Sequence, residues 1–402
     1  MSASRTQLRS SAVLASLALL AGGLSACSGT SGHGSDDVRK ANGDASNASA
    51  QSVRLSANVG PKKVVPVDRL VTVDAEGGTI AKVVLRSDAG SKVPGLLNDG
   101  STRWTATDRL EPGTSYVVRT TTRNEDGKVK RSTSSFTTQD LSLAQQTYAS
   151  VAPLEGETVG VGMPVVVHFD LPVIEKKAFE KHMVVTSTPA QKGTWHWMSD
   201  TEVHYRPATY WQAGTDVTVE VDVNALPAGN GIYGQESRTV NFHIGDSVVS
   251  KVNAQTHQMK TFVNGKLVKT MPITLGKPGF TTRSGIKVIM EKYRTKRMNS
   301  ETVGIPADSA EAYDIDDVEY AMRVTSTGEF LHAAPWSVGS QGYANVSHGC
   351  TGLSTANAAW IYNISKRGDV VEYTGTDRPM TLTNGYGDWN ESFATYKQGS
   401  AL

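Results

Sequence analysis

"YVVRTTTRNEDGKVKRSTSSFTT", Tyr116 to Thr138, alternates on both sides of a short polar break. Tyr116, Val118 and Thr120 share one side of an extended chain, and "EDG" at Glu125 to Gly127 supplies the turn, so the stretch is predicted to be a β-hairpin. No helical period occurs between about residues 53 and 138. A second stretch with the same style follows from about 151 to 245. "DVTVEVDVN" alternates at Val217, Val219, Val221 and Val223, and "VGMPVVVHFD" and "TVNFHIG" read as further strands. Each stretch ends in a long alternating strand, a turn and a strand carrying Phe136 or Phe242. The spacing of those two phenylalanines, near one domain length, predicts two immunoglobulin-like sandwiches, over 52–140 and 150–246. The region from Leu141 to Ala149 reads as a short linker. A single larger β domain is the alternative division.

From Ser247 the pattern changes to a meander, with "NGK" at Asn264 to Lys266 as a hairpin turn. Ser354 is a predicted N-cap for "TANAAWIYNISKR" and Gly368 its predicted end. "DVVEY" follows as a strand. The last stretch, from Thr374 to Leu402, has little regular pattern. The expected class is mostly β, with a third, β-rich domain over 247–375 and a tail over 376–402. At roughly 150 residues per domain, 402 residues accommodate this. A formal net charge of +1 gives no field to attract nucleic acid or an anionic surface.

The N-terminus has the features of an export leader. Arg5 and Arg9 precede the apolar run "SAVLASLALL", Ser11 to Leu20, which is too short to span a bilayer. "LSAC", Leu24 to Cys27, then resembles the bacterial lipobox, which implies a signal peptide over 1–26 and a lipidated Cys27. A plain secretory signal is the alternative. Residues 28–51, rich in Ser, Gly, Asn and Asp, read as a flexible tether. The expected location is therefore the cell envelope, with the protein anchored by lipid to the outer face of the cytoplasmic membrane.

Only two cysteines are present. If Cys27 carries lipid, Cys350 has no disulfide partner, and an exported free thiol invites a functional explanation. Cys350 lies in "NVSHGCTGLS", beside a glycine and two residues after His348. A thiol attacks as thiolate, and an ordinary cysteine with a pKa of about 8.5 needs assistance. Three aids are visible: the positive end of the helix starting near Ser354, a base from His332 or His348, and the N–H groups of His348, Gly349 and Cys350 as an oxyanion hole. The residues alone leave the base open between the two histidines. His332 ends an alternating run, "GEFLHAAPW", and faces the thiol if that strand lies beside the segment leading to Cys350.

The block "LHAAPWSVGSQGYANVSHGC", with His332 upstream of "SHGC", resembles the signature of L,D-transpeptidases with the YkuD catalytic fold. The order of leader, tether, two Ig-like domains, catalytic domain and a tail with "GDWN" is similar to the actinobacterial branch of that family. The resemblance implies that Cys350 attacks the peptide bond between the third and fourth residues of a peptidoglycan tetrapeptide stem. D-Alanine leaves, a thioester forms, and an acceptor amine from another stem resolves it into a 3→3 cross-link. His332 matches the family's catalytic histidine, with the Ala333 carbonyl orienting it. Ser347, His348 and Gly349 match supports of the nucleophile's loop. Met298, Tyr313 and Tyr320 fall where the family has a lid over its substrate, and Trp336 is expected near the site. Carbapenems are implied as covalent inhibitors, and no metal or cofactor is implied. One position departs: Gly352 stands where the family commonly has Arg or Asn. The alternatives to a cross-linking enzyme are an L,D-carboxypeptidase, with water as acceptor, and a non-catalytic wall-binding lipoprotein.

Elsewhere, His168, His196, His204 and His243 are expected at surface or half-buried β positions. Trp195, Trp197 and Trp211 are expected to pack in cores or between domains.

Overall fold

The computed structural model describes residues 52–61 and 64–402. The expected leader, Cys27 and the tether lie outside them. Between Arg54 and Thr137 the chain forms two four-stranded sheets. One has the order Arg54–Ala57, Thr72–Glu76, Arg103–Ala106, Gly95–Leu97. The other runs Lys92–Val93, Gly78–Ser87, Ser115–Asn124, Val129–Thr137. The hairpin forms with Tyr116 opposite Phe136, and their rings stack 5.4 Å apart. Tyr116, Val118, Thr120 and Thr122 are all buried, as a period of two on a half-covered sheet requires.

A second pair of four-stranded sheets follows. Ala149–Ala152, Val165–Phe169, Glu202–Pro207 and Gly193–Trp197 form one. Thr158–Val159, Arg238–Ile244, Asp216–Val221 and Met183–Thr188 form the other. Val217, Val219 and Val221 meet Phe169, Phe242 and Trp195 in a single core. Trp211 is buried there too, and Trp197 stacks on Phe169 while its indole donates to Glu180 at 3.0 Å. The stretch from Leu141 is more than a linker. Leu141 joins Val67 and Ala225 in a small apolar cluster between the sandwiches, and Gln146–Thr147 pairs with Ile232–Gly234. Arg109 of the first sandwich donates to the Asn224 carbonyl of the second at 3.1 Å.

The remainder holds two further sheets. A five-stranded one has the order Lys266–Pro272, Gln258–Val263, Val248–Asn253, Val370–Thr374, Gly285–Val288. Asn264 and Gly265 turn its hairpin of Gln258–Val263 and Lys266–Pro272 with φ +49° and +79°, the left-handed pair of a tight hairpin turn. A four-stranded one has the order Glu291–Asn299, Asp314–Arg323, Phe330–Ala333, Thr351–Leu353. Helix Thr355–Ile364 covers it, capped by Ser354 as expected, its side chain accepting from Asn357 N–H. The helix ends at Ile364 with Ser365 as C-cap, before Gly368. Gly368, at φ +94°, instead turns the chain into the strand Val370–Thr374.

The tail is ordered by what it touches. Helix Phe393–Tyr396 lies between two 3-10 turns, Asp388–Asn390 and Lys397–Gly399. The Trp389 indole donates to the Gly162 carbonyl at 2.7 Å. The buried Arg206 guanidinium lies over the rings of Tyr396 and Trp389, at 4.3 and 4.8 Å. His204, expected at the surface or half-buried, is buried with its Nδ1–H donating to Asp388 at 2.9 Å. Val370 of the five-stranded sheet belongs to the same apolar cluster as the second sandwich, so sandwich, sheet and tail are packed as one body.

Candidate active site

The strand Phe330–Ala333 is buried at every residue and pairs in parallel with Thr351–Leu353, placing His332 opposite Gly352. Cys350 immediately precedes that pairing. The strand is therefore aligned with the segment just after the thiol, rather than with the one leading to it. Gly352 also exchanges backbone hydrogen bonds with Thr274, N to O at 2.9 Å and O to N at 3.0 Å, which joins the two sheets under the site. A Cβ at Gly352 would come within 2.9 Å of the Thr274 side chain and 3.1 Å of Ala334 Cβ, so glycine fits this close approach.

His332 is buried, and its Nδ1 lies 2.8 Å from the Ala333 carbonyl oxygen. A carbonyl only accepts, so Nδ1 carries the proton and Nε2 is left as the free base. Burial pulls the imidazole below its ordinary value. Burial also pushes the Cys350 thiol up, to about 11. The thiol donates to the Gly328 carbonyl at 3.7 Å. The resting pair is neutral imidazole and neutral thiol. The expected help from the helix does not reach the sulfur, because the strand Thr351–Leu353 separates Cys350 from Ser354 by about 13 Å of extended chain.

Ser347 Oγ donates to the Cys350 carbonyl at 2.6 Å and accepts from Gly349 N–H at 3.1 Å. Gly349, at φ +122°, makes the turn, and Thr282 Oγ1 donates to its carbonyl at 2.8 Å. His348 is committed elsewhere. Its Nε2–H donates to Glu311 at 2.7 Å, Lys277 reaches the same carboxylate oxygen at 2.5 Å, and its ring lies between Phe280 and Tyr313.

Two cavities of about 270 Å³ each meet at Cys350. One is lined by His332, Ser347, His348, Met298, Tyr313 and Trp336, with Ile315 and Val318 adding an apolar wall. The other is lined by Lys296, Arg297, Arg323, Gly328 and Phe330, and shares Met298 and Tyr313 with the first. A register shift between Lys296 and Met298 breaks the regular pairing just where Met298 enters both cavities. Trp336 is more than half exposed and stacks on His332, ring centres 5.9 Å apart. Tyr320 does not join the lid residues. It packs against Tyr362 at 5.6 Å with Arg294 over its ring, and lines neither cavity. Glu311, Thr282, Lys287 and Glu329 escaped sequence reading because their partners are distant in the chain.

The description of a bacterial Ig domain matches residues 62–227, and that of an L,D-transpeptidase catalytic domain matches 247–372. L,D-transpeptidase 2 of Mycobacterium tuberculosis (strain CDC 1551 / Oshkosh) is 36% identical over 350 residues, 87% of this chain and 85% of that protein. L,D-transpeptidase 5 of M. tuberculosis (strain ATCC 25618 / H37Rv) is 33% identical over 347 residues, 84% of this chain and 74% of that one. Among solved structures, LD transpeptidase LdtMt1 in complex with imipenem aligns over 57% of this chain and 99% of its own, with 38% identity and a TM-score of 0.51. Similarity of that extent, running through both the Ig-like part and the cysteine-bearing sheet, places this chain in the L,D-transpeptidase family.

Proposed function

We propose that the chain forms 3→3 cross-links in peptidoglycan through a thioester on Cys350. The observation that carries this reading is the buried His332, held by the Ala333 carbonyl in one tautomer, in the same cavity as the free Cys350. The thiol turns from the Gly328 carbonyl toward His332, gives its proton to Nε2, and the sulfur attacks the carbonyl carbon between the third and fourth residues of a tetrapeptide donor. Gly349 N–H is already bonded to Ser347, so the oxyanion falls to the N–H groups of His348 and Cys350. His332 returns the proton to the departing D-alanine amine. The acceptor amine loses a proton to His332 as it attacks the thioester, and the thiol is restored. Two cavities meeting at one sulfur suit a reaction with an acyl donor and a separate acceptor. Met298, Tyr313 and Trp336 line the donor's path.

Incubating the enzyme with disaccharide tetrapeptides and sequencing the dimers by tandem mass spectrometry tests this. Dimers linked through the third residue of both stems, with loss of one D-alanine, are expected. Release of D-alanine with no dimer would replace the proposal by the carboxypeptidase reading. A carbapenem should add its intact mass to Cys350, as the imipenem complex of LdtMt1 suggests. We further propose export and lipidation at Cys27, with the sandwiches over 52–140 and 150–246 as a spacer between membrane and catalytic domain 247–375. Replacing Cys27 by Ala should move the protein from the membrane to the soluble fraction; unchanged fractionation would refute the anchor.

A further inference from the structure

Beneath the nucleophile lies a charged cluster that the reaction above does not use. Lys287 is fully buried in the strand Gly285–Val288, and its ammonium is bonded to Glu329. Glu329 also accepts from the Arg283 guanidinium at 2.8 Å and from Arg283 N–H at 3.2 Å. The ammonium lies 3.8 Å from the centre of the Tyr373 ring, whose hydroxyl pairs with Thr351 Oγ1 at 2.7 Å. Three positions next to Cys350 run alongside this cluster. Thr351 follows the nucleophile. Gly328, whose carbonyl receives the thiol, precedes Glu329. Gly349 has its carbonyl held by Thr282, next to Arg283, and a Cβ on it would lie 3.7 Å from Glu329 Cγ.

Burying a lysine with a carboxylate is costly, and an apolar pair of the same volume often serves stability as well. Retaining one here calls for a task at this place. Two cations and one anion leave the cluster with a net charge of +1. We propose that Lys287 is a positioning and charge-balancing residue for Cys350, held by Glu329 and Arg283 so that the cluster's net positive charge offsets the thiolate formed when His332 takes the proton. The inference rests on the reading of Cys350 as nucleophile. The other ionisable groups around the sulfur are His332, His348, Lys296, Arg297, Arg323 and Tyr313 in the two cavities, and Tyr373. His348 is bonded to Glu311 and Arg297 is paired with Asp314. Arg323 is paired with Glu291, and burial pushes both tyrosines up and keeps them neutral. Burial draws Lys287 down, to about 8, which leaves it mainly cationic at neutral pH.

The test is the rate of iodoacetamide alkylation at Cys350 in the full chain between pH 6 and 7.5, where Lys287 is still cationic, followed by mass spectrometry of the peptide that carries it. Lys287→Met removes a cation and should slow alkylation at pH 7 on the order of tenfold. Glu329→Gln removes the anion and should speed it. Lys287→Arg should restore the rate. Opposite changes are what charge predicts and packing does not: rates moving together, or not at all, overturn the proposal. If Lys287→Met does not fold, Arg283→Gln, at a partly solvated site, decides. A slower rate supports the proposal and an unchanged rate refutes it. Failure of the nucleophile reading would show separately, as cross-linking that survives Cys350→Ala.

Discussion

His204 and His332 are both buried histidines in β-strands, and they are opposite in state because of their partners. At His204, burial alone would favour the neutral ring. Asp388 and Glu202, at 2.9 and 3.1 Å, outweigh it and hold the imidazolium to about pH 9. At His332 the partner is a backbone carbonyl, which fixes a tautomer but carries no full charge, so burial wins and the ring is neutral. The first arrangement makes a structural cation that pins the tail to the second sandwich. The second leaves Nε2 unprotonated. Burial is common to both; the charge of the acceptor separates a fixed cation from a neutral ring that can accept a proton.

The comparison breaks most sharply at the thiol that shares a cavity with His332. Cys350→Ala should abolish carbapenem adducts and cross-linking, read by intact mass and dimer analysis; any adduct on this variant would exclude the assignment. His332→Ala should slow acylation on the order of 10² to 10⁴-fold. His348→Ala should cost less, because its ring is bonded to Glu311 and supports the loop.

Acylation of the wild type should stay flat with falling pH through about 6.5, the ordinary histidine value, and decline only below it, because His332 keeps its base form there. Stopped-flow acylation between pH 5 and 8 checks this, and a half-maximum above 6.5 would contradict the neutral ring.

His204 should govern stability instead. Its folded pKa is raised above the unfolded value of about 6.5, so its contribution is complete below that pH and lost as pH rises through about 9. Asp388 is held low by His204 and the Tyr396 hydroxyl against its own burial, so its contribution is present above about pH 3.9 and lost on further acidification. Thermal melts from pH 5 to 10 should show the first loss. His204→Gln should flatten it and cost about 3 to 5 kcal/mol, the usual penalty for breaking a buried pair. Unchanged melting would make the Asp388 contact dispensable.

The smallest effect is expected from removing the first sandwich. A chain beginning at residue 141 should acylate within about twofold of the full one, since that sandwich meets the rest through the Val67–Leu141–Ala225 cluster and Arg109, remote in sequence from the site. Removal of the second sandwich as well should exact far more, because Val370 shares its core. Equal tolerance of both deletions would mean that the tail's contacts do not matter.

Much of this was readable because it is local. Alternation at Tyr116 to Thr122 and Val217 to Val223, the turn at Asn264 and Gly265, and the cap at Ser354 depend on neighbours a few residues away. Cys350, His332 and the Ala333 carbonyl were legible through spacing and resemblance. Misreadings occurred where the decisive partner is remote. Tyr320 lies on a hairpin whose register shifts between Lys296 and Met298, so sequence position does not tell which side chain enters the cavity. The tail looked irregular because its order comes from Gly162, Arg206 and His204, some 180 to 230 residues upstream.

What the sequence by itself determined is the β pattern of the sandwiches and the chemistry of the side chains offered to the site, since these are set by side-chain period and by residue type. The tertiary structure decided their electrical state. It placed a strand between the helix end and Cys350, set the half-buried thiol and the buried His332 in one cavity as neutral partners, and brought Lys287, Glu329 and Arg283 beneath them. Charge in a protein depends on desolvation and on the nearest ion, and both are properties of distance in space rather than along the chain.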